Sequence, residues 1–211
     1  MGKTVLSILA HPDDAEFLCA GTLTRLRHEY SWTVHIATMT AGDCGSTALP
    51  AGEISRVRRA EAAQAASIIG AIYHCLELLD LRILYNEEAL ERVTRLLRAV
   101  RPDMVLTHSP QDYLLDHEMT STVTRAAAFA APVPNFLNDR GHAQPLDRIP
   151  HLYYCDAVEG KGLFFEQTVK HAPSKRTMTA AALERQINDL PSGLRCARRC
   201  VVDIRLVEES H

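Results

Sequence analysis

Leu9-Ala10-His11-Pro12-Asp13-Asp14-Ala15-Glu16 joins an apolar run, Thr4 to Ala10, to the apolar start of a helix at Phe17-Leu18. The run is rich in Val, Leu and Ile and predicts a strand buried on both faces of a parallel sheet. Pro12 ends that strand, because it has no N–H for the ladder and fixes its own φ. A histidine and two aspartates therefore sit at the C-terminal end of a first strand, where open α/β sheets place their ligands. Imidazole and carboxylate together suit a divalent ion such as zinc. The same residues also suit a helix start, with Asp13 or Asp14 as N-cap and Glu16 near the positive end. A cap needs only one short polar residue, however, and adjacent carboxylates without a cation raise each other's pKa. A metal removes that conflict.

Outward from this stretch, strands and helices alternate. Residues 16–30 carry Phe17, Leu23, Leu26 and Tyr30 at helical spacing, and Thr33 to Thr40 is a short β-branched strand. Ala41 to Gly52, with three glycines and a proline, reads as the loop leaving that strand. Glu53 to Gly70 is an alanine-rich helix stopped by Gly70, and Tyr73 to Leu78 is a third strand followed by a loop holding Asp80. Asn86 caps a helix running to Val100, and Met104 to His108 forms a fourth strand. The order predicts a Rossmann-like, doubly wound α/β fold, a mostly parallel sheet with helices on both faces. The prolines of Ala131-Pro132-Val133-Pro134 make the 131–150 connection a fixed excursion.

The 211 residues, 46% of them hydrophobic, are enough for one sizeable core and short for two, so residues 1–211 read as a single domain. A net charge of −3 gives no reason to expect nucleic acid or an anionic membrane as partner. The six cysteines form no CxxC pair and read as buried thiols rather than disulfides. The first ten residues hold too short an apolar run for a signal peptide, and no stretch is long enough to span a bilayer, so the expected setting is cytoplasmic. The oligomeric state stays open.

A second polar cluster follows the fourth strand: His108-Ser109-Pro110-Gln111-Asp112-Tyr113-Leu114-Leu115-Asp116-His117-Glu118. It shares its sheet edge with the first, so His117 would supply a third metal ligand and Asp116 would hold a ring or neighbouring group in place. Alone, His117 would simply open the helix that runs to Ala130. There is no G-x-S-x-G elbow and no G-x-G-x-x-G fingerprint after a strand, which disfavours a serine hydrolase and dinucleotide binding.

Together the clusters resemble the signature of the PIG-L/LmbE-like zinc-dependent deacetylases, whose A-H-P-D-D/A-E motif follows strand one and whose second motif ends in Asp-His. The resemblance spans roughly residues 3–160, including Thr40-Ala41-Gly42-Asp43, the Arg58-x-x-Glu61 helix start and Leu152-Tyr153-Tyr154-Cys155-Asp156. It implies His11, Asp14 and His117 as ligands of Zn2+ or another divalent ion. It also implies Asp13 as general base, with Asp116 beside it in the catalytic group, and Arg58, Asp80 and Asp43 as substrate-binding residues. The implied reaction is hydrolysis of the acetyl group of an N-acetylglucosamine-type conjugate, a small-molecule amino-sugar substrate.

Two departures stand out. Relatives generally carry a histidine three residues before the last ligand, an oxyanion donor, and this chain has Leu114 there. Tyr113, His108 or a histidine from elsewhere would have to replace it. A non-catalytic or altered-specificity metal- or sugar-binding relative is the competing expectation, as is hydrolysis of another amide or ester. The second departure is the divergent segment 170–211. Its stretch Lys170 to Cys200 holds seven Lys/Arg against Glu184 and Asp189, with a short helix expected over Ala180 to Leu190 and an edge strand over Cys200 to Leu206.

Overall fold

Along the first strand, β1 (Thr4–Leu9), every second side chain enters a different core. Val5 and Leu9 pack with α1 (Asp14–Leu18), α2 (Ala20–Tyr30) and α3 (Ala51–Ile68) on one face, while Leu6 and Ile8 pack with α4 (Glu87–Val100) and α5 (Leu115–Ala130) on the other. This double burial is why the segment is apolar throughout rather than alternating. The computed structural model describes residues 2–137 and 144–155.

The remaining strands are β2 (Thr33–Thr40), β3 (Ile72–Leu78), β4 (Met104–Thr107) and β5 (His151–Tyr154). All pair in parallel, in the order β3-β2-β1-β4-β5. The expected doubly wound α/β sheet is therefore present, with helices on both faces. The chain winds outward from β1 to β3, then crosses to the other side of β1 to form β4 and β5. The crevice between the C-terminal ends of β1 and β4 is thus the switch point at which such sheets bind ligands.

Local chemistry accounts for most boundaries. Asn86 accepts the Ala89 N–H at 2.9 Å and opens α4. Gly70 takes φ +70 immediately after α3, the left-handed conformation that ends helices. α3 itself starts at Ala51 rather than Glu53, because the Pro50 carbonyl accepts the Glu53 and Ile54 N–H groups and draws Gly52 into the first turn. The continuous helix expected over residues 16–30 is instead two helices broken at Cys19, which takes φ −143 and ψ 2 and is fully buried. The described parts of the 131–150 connection fold back onto α4. Arg98 donates to the Ala131 and Val133 carbonyls (3.0 and 2.6 Å), and Arg101 pairs with Asp147 at 2.8 Å. Cys19, Cys44, Cys75 and Cys155 are free thiols, and Cys44 is exposed. No helix among the described residues is long and apolar enough to cross a membrane. The expected helix at 180–190, the edge strand at 200–206 and the basic segment lie outside the described residues.

Candidate metal centre

Four strand ends feed this site. β1 delivers His11 through Glu16, and the loops after β2 and β3 deliver Asp43 and Asp80. The segment after β4 supplies His108 and Asp112, and the first turn of α5 supplies Asp116 and His117. Asp13 occupies the N-cap position of α1 yet makes no side-chain cap hydrogen bond, and the Asp14 carboxylate also faces away from that role. Asp14 Oδ2 instead accepts the His11 N–H at 2.7 Å, and Asp13 Oδ2 lies 2.8 Å from Arg58 Nη2. The helix-start alternative does not describe these carboxylates.

The ring orientations follow from their partners. His11 Nε2 lies 3.1 Å from Asp80 Oδ1 and 3.3 Å from Asp116 Oδ2. Carboxylates only accept, so the proton is on Nε2 and the Nδ1 lone pair faces the opposite way. There it stands 3.3 Å from Asp14 Oδ2 and 3.3 Å from His117 Nε2. His117 Nδ1 lies 3.1 Å from Asp112 Oδ1, close but without hydrogen-bond alignment, and Nε2 lies 3.5 Å from Asp14 Oδ1. His11, Asp14 and His117 each offer one ligand atom, all within 4.8 Å of one another. The facing atoms share a space filled either by a proton, which the raised His11 and His117 rings hold, or by a cation. Two imidazoles and a carboxylate form a donor set for zinc that leaves a fourth position open. The residues present therefore fit the divalent ion.

Titration reflects the same crowding. Burial would raise the Asp14 carboxyl, but contacts with His108, His11 and His117 hold it well below its ordinary value. Burial would lower His117, but Asp112 and Asp14 override it and push the ring up to about 9. His11 is raised in the same sense, burial being outweighed by Asp14 and Asp80. Glu16 behaves in the opposite way. Burial and the nearby Asp13 and Asp14 charges push it up to about 7, and its Oε2 is buried without a hydrogen-bond partner.

The other expected site residues arrive by different routes. Asp43 Oδ1 accepts the Asp80 N–H at 2.8 Å, and Cys44 N–H donates to Asp80 Oδ2 at 3.3 Å, so Asp43 reaches the site through Asp80. Gly42, at φ +70, is required where it stands: an added Cβ would meet the Pro12 ring at 3.3 Å. Arg58 reaches across from α3 to Asp13 and also pairs with Glu61 at 3.1 Å. Leu81 takes φ +60, unusual for a leucine, and its N–H donates to Asp116 Oδ2 at 2.8 Å. Leu114 is the N-cap of α5 and brings no polar side chain to the centre.

Two residues close to the ligands had no such role in the sequence reading. Asp112 contacts His117, and His108 stacks on it with ring centroids 3.9 Å apart and planes 9° from parallel. His108 is fully buried. Its Nε2 accepts the Ala10 N–H at 2.9 Å and stands 3.1 Å from Asp14 Oδ2, so it is not available as a replacement oxyanion donor. Tyr113 is 61% exposed and meets the His117 ring edge-on at 5.5 Å. The sequence signal for Asp112 was its place two residues before a helix N-cap, where a short acid folds back over the turn.

Residues 6–128 match the family described as PIG-L: GlcNAc-PI de-N-acetylase. The 4-oxalmesaconate hydratase of Pseudomonas putida is 26% identical over 142 residues, covering 64% of this chain and 55% of that protein. The 1D-myo-inositol 2-acetamido-2-deoxy-alpha-D-glucopyranoside deacetylase of Rhodococcus erythropolis is 26% identical over 163 residues, covering 61% of this chain and 55% of that protein. The chain spans about half the length of the curated relatives it matches. In fold, the N,N'-diacetylchitobiose deacetylase of Pyrococcus horikoshii superposes with a TM-score of 0.69 at 23% identity, over 91% of this chain and 72% of that one.

Proposed function

Because the chain belongs to the PIG-L family of GlcNAc-PI de-N-acetylases, we propose that it is a metal-dependent amide hydrolase removing the acetyl group of an N-acetylglucosamine-type conjugate. The observation that carries the reading is the convergence of His11 Nδ1, His117 Nε2 and the Asp14 carboxylate on one space. An ion held there, zinc in our reading, would supply a Lewis acid and a water acidified toward a pKa of ~7.

The chain's own groups do the rest. Asp13 flanks the centre without being one of the three ligands, and it takes the proton of the attacking water. Arg58, 2.8 Å away, fixes the position of that carboxylate. Asp80 and Asp116 hold His11 with Nε2 protonated, so the ring presents only Nδ1. The oxyanion that forms on the acetyl oxygen needs a donor, and the departing amine takes the proton that Asp13 removed from the water. Leu114 donates nothing, and His108 is enclosed. Tyr113, beside His117 and open to the mouth, is the donor assigned here. Asp43 supports Asp80, and with Arg58 and Asp80 it lines the sugar side of the crevice in this reading.

A second reading is hydration, favoured by the hydratase among the relatives. Metal-loaded protein assayed for acetate release from N-acetylglucosamine conjugates and for hydration of 4-oxalmesaconate separates the two. Acetate release supports the deacetylase, and hydration without acetate release replaces it.

A further inference from the structure

We infer that Asp112 is the positioning residue of His117, the group that fixes which ring nitrogen His117 presents to the metal and in what orientation. This inference rests on the metal-centre reading above. Asp116, expected to hold a ring or a neighbouring group, holds the other ring, His11. Asp112 meets His117 Nδ1 at 3.1 Å, with the His117 and Asp112 side chains only 2% and 1% exposed. A contact so enclosed is not diluted by solvent, and although Nδ1 is not aligned for a hydrogen bond in the metal-free chain, Asp112 Oδ1 is the carboxylate oxygen paired with it.

The loop is built to hold that carboxylate still. Asp112 Oδ1 accepts the Leu114 N–H at 3.3 Å, and the Asp112 N–H donates to Glu118 Oε1 at 3.0 Å, one turn into α5. Glu118 follows His117 directly, so loop and helix start are closed on each other around the ring. His108 covers one face of the imidazole and Tyr113 meets it edge-on, which limits its rotation. Leu114 takes part through its backbone N–H alone. The substitution that removes the family's histidine side chain therefore leaves this support intact, and metal binding and oxyanion donation become separable properties.

The test is metal affinity and the visible spectrum of the cobalt-loaded protein for wild type, Asp112→Asn and Asp112→Ala, with circular dichroism as a check of folding. Loss of a carboxylate behind a histidine ligand weakens metal binding by roughly 10- to 100-fold. Asp112→Ala should fall in that range with a shifted cobalt spectrum. Asp112→Asn, which keeps an acceptor and the loop's hydrogen bond to Leu114, should lie between it and wild type; it also carries the test if the alanine variant does not fold. Unchanged affinity and spectrum in folded variants overturn the inference. A wild type that binds no cobalt or zinc overturns the metal-centre reading itself, and this inference with it.

Discussion

His11 Nδ1 and His117 Nε2 are 3.3 Å apart although 106 residues of chain separate them. Each ring has its other nitrogen turned to buried carboxylates, Asp80 and Asp116 for His11 and Asp112 for His117. The two facing nitrogens stand beside the Asp14 carboxylate, which keeps both rings readily protonated in the metal-free chain. A bound cation would take the place of that proton.

Asp13 lies beside the ligands and makes its ion pair with Arg58 rather than with the centre. Asp13→Asn should keep the metal and lose activity by about 100-fold or more, the usual contribution of a positioned base. Metal content and acetate release measured on the same preparation check this. Activity within a few-fold of wild type would remove Asp13 from the base role.

Tyr113, edge-on to the His117 ring at 5.5 Å, is the donor proposed above, since Leu114 cannot serve. Tyr113→Phe should reduce kcat by roughly 100-fold with KM nearly unchanged, in the range of a lost oxyanion donor. Leu114→His in the Tyr113→Phe background should recover part of that loss. Equal kcat for wild type and Tyr113→Phe would point to another donor.

Glu16 gives a pH signature. Its carboxyl, raised from an ordinary value of 4.5 to about 7 by burial, binds its proton more tightly in the folded chain than in the unfolded one. The stability this provides is complete below about pH 4.5 and is lost as pH rises through about 7. For the metal-free protein, Glu16→Gln should match wild type in thermal stability near pH 5 and exceed it at pH 8. Parallel pH profiles for the two proteins would contradict the assignment.

Legibility in the sequence differed between the frame and the centre. The apolar run Thr4–Ala10 and the alternating order of elements were readable because a strand buried on both faces has few other compositions. Family membership and the shared edge of the two polar clusters followed from the His-Pro-Asp-Asp and Asp-His motifs. The break at Cys19 was not readable, since no proline or glycine marks it. The left-handed Leu81 was hidden for a similar reason: leucine has no preference for that conformation, and only the bond from its N–H to Asp116 accounts for it. That Asp116 would hold a ring or a neighbouring group was legible, but which ring was not: it holds His11. Asp116 neighbours His117 in the chain, but on a helix consecutive side chains diverge by about 100°, and Asp112 reaches the ring by folding back from the loop.

The central claim is that residues from both clusters hold one metal ion, and elemental analysis of wild type and His117→Ala after zinc loading tests it most directly. About one zinc per chain in wild type, lost from a folded His117→Ala, is the predicted result. Equal metal in both proteins, or none in wild type, would contradict it.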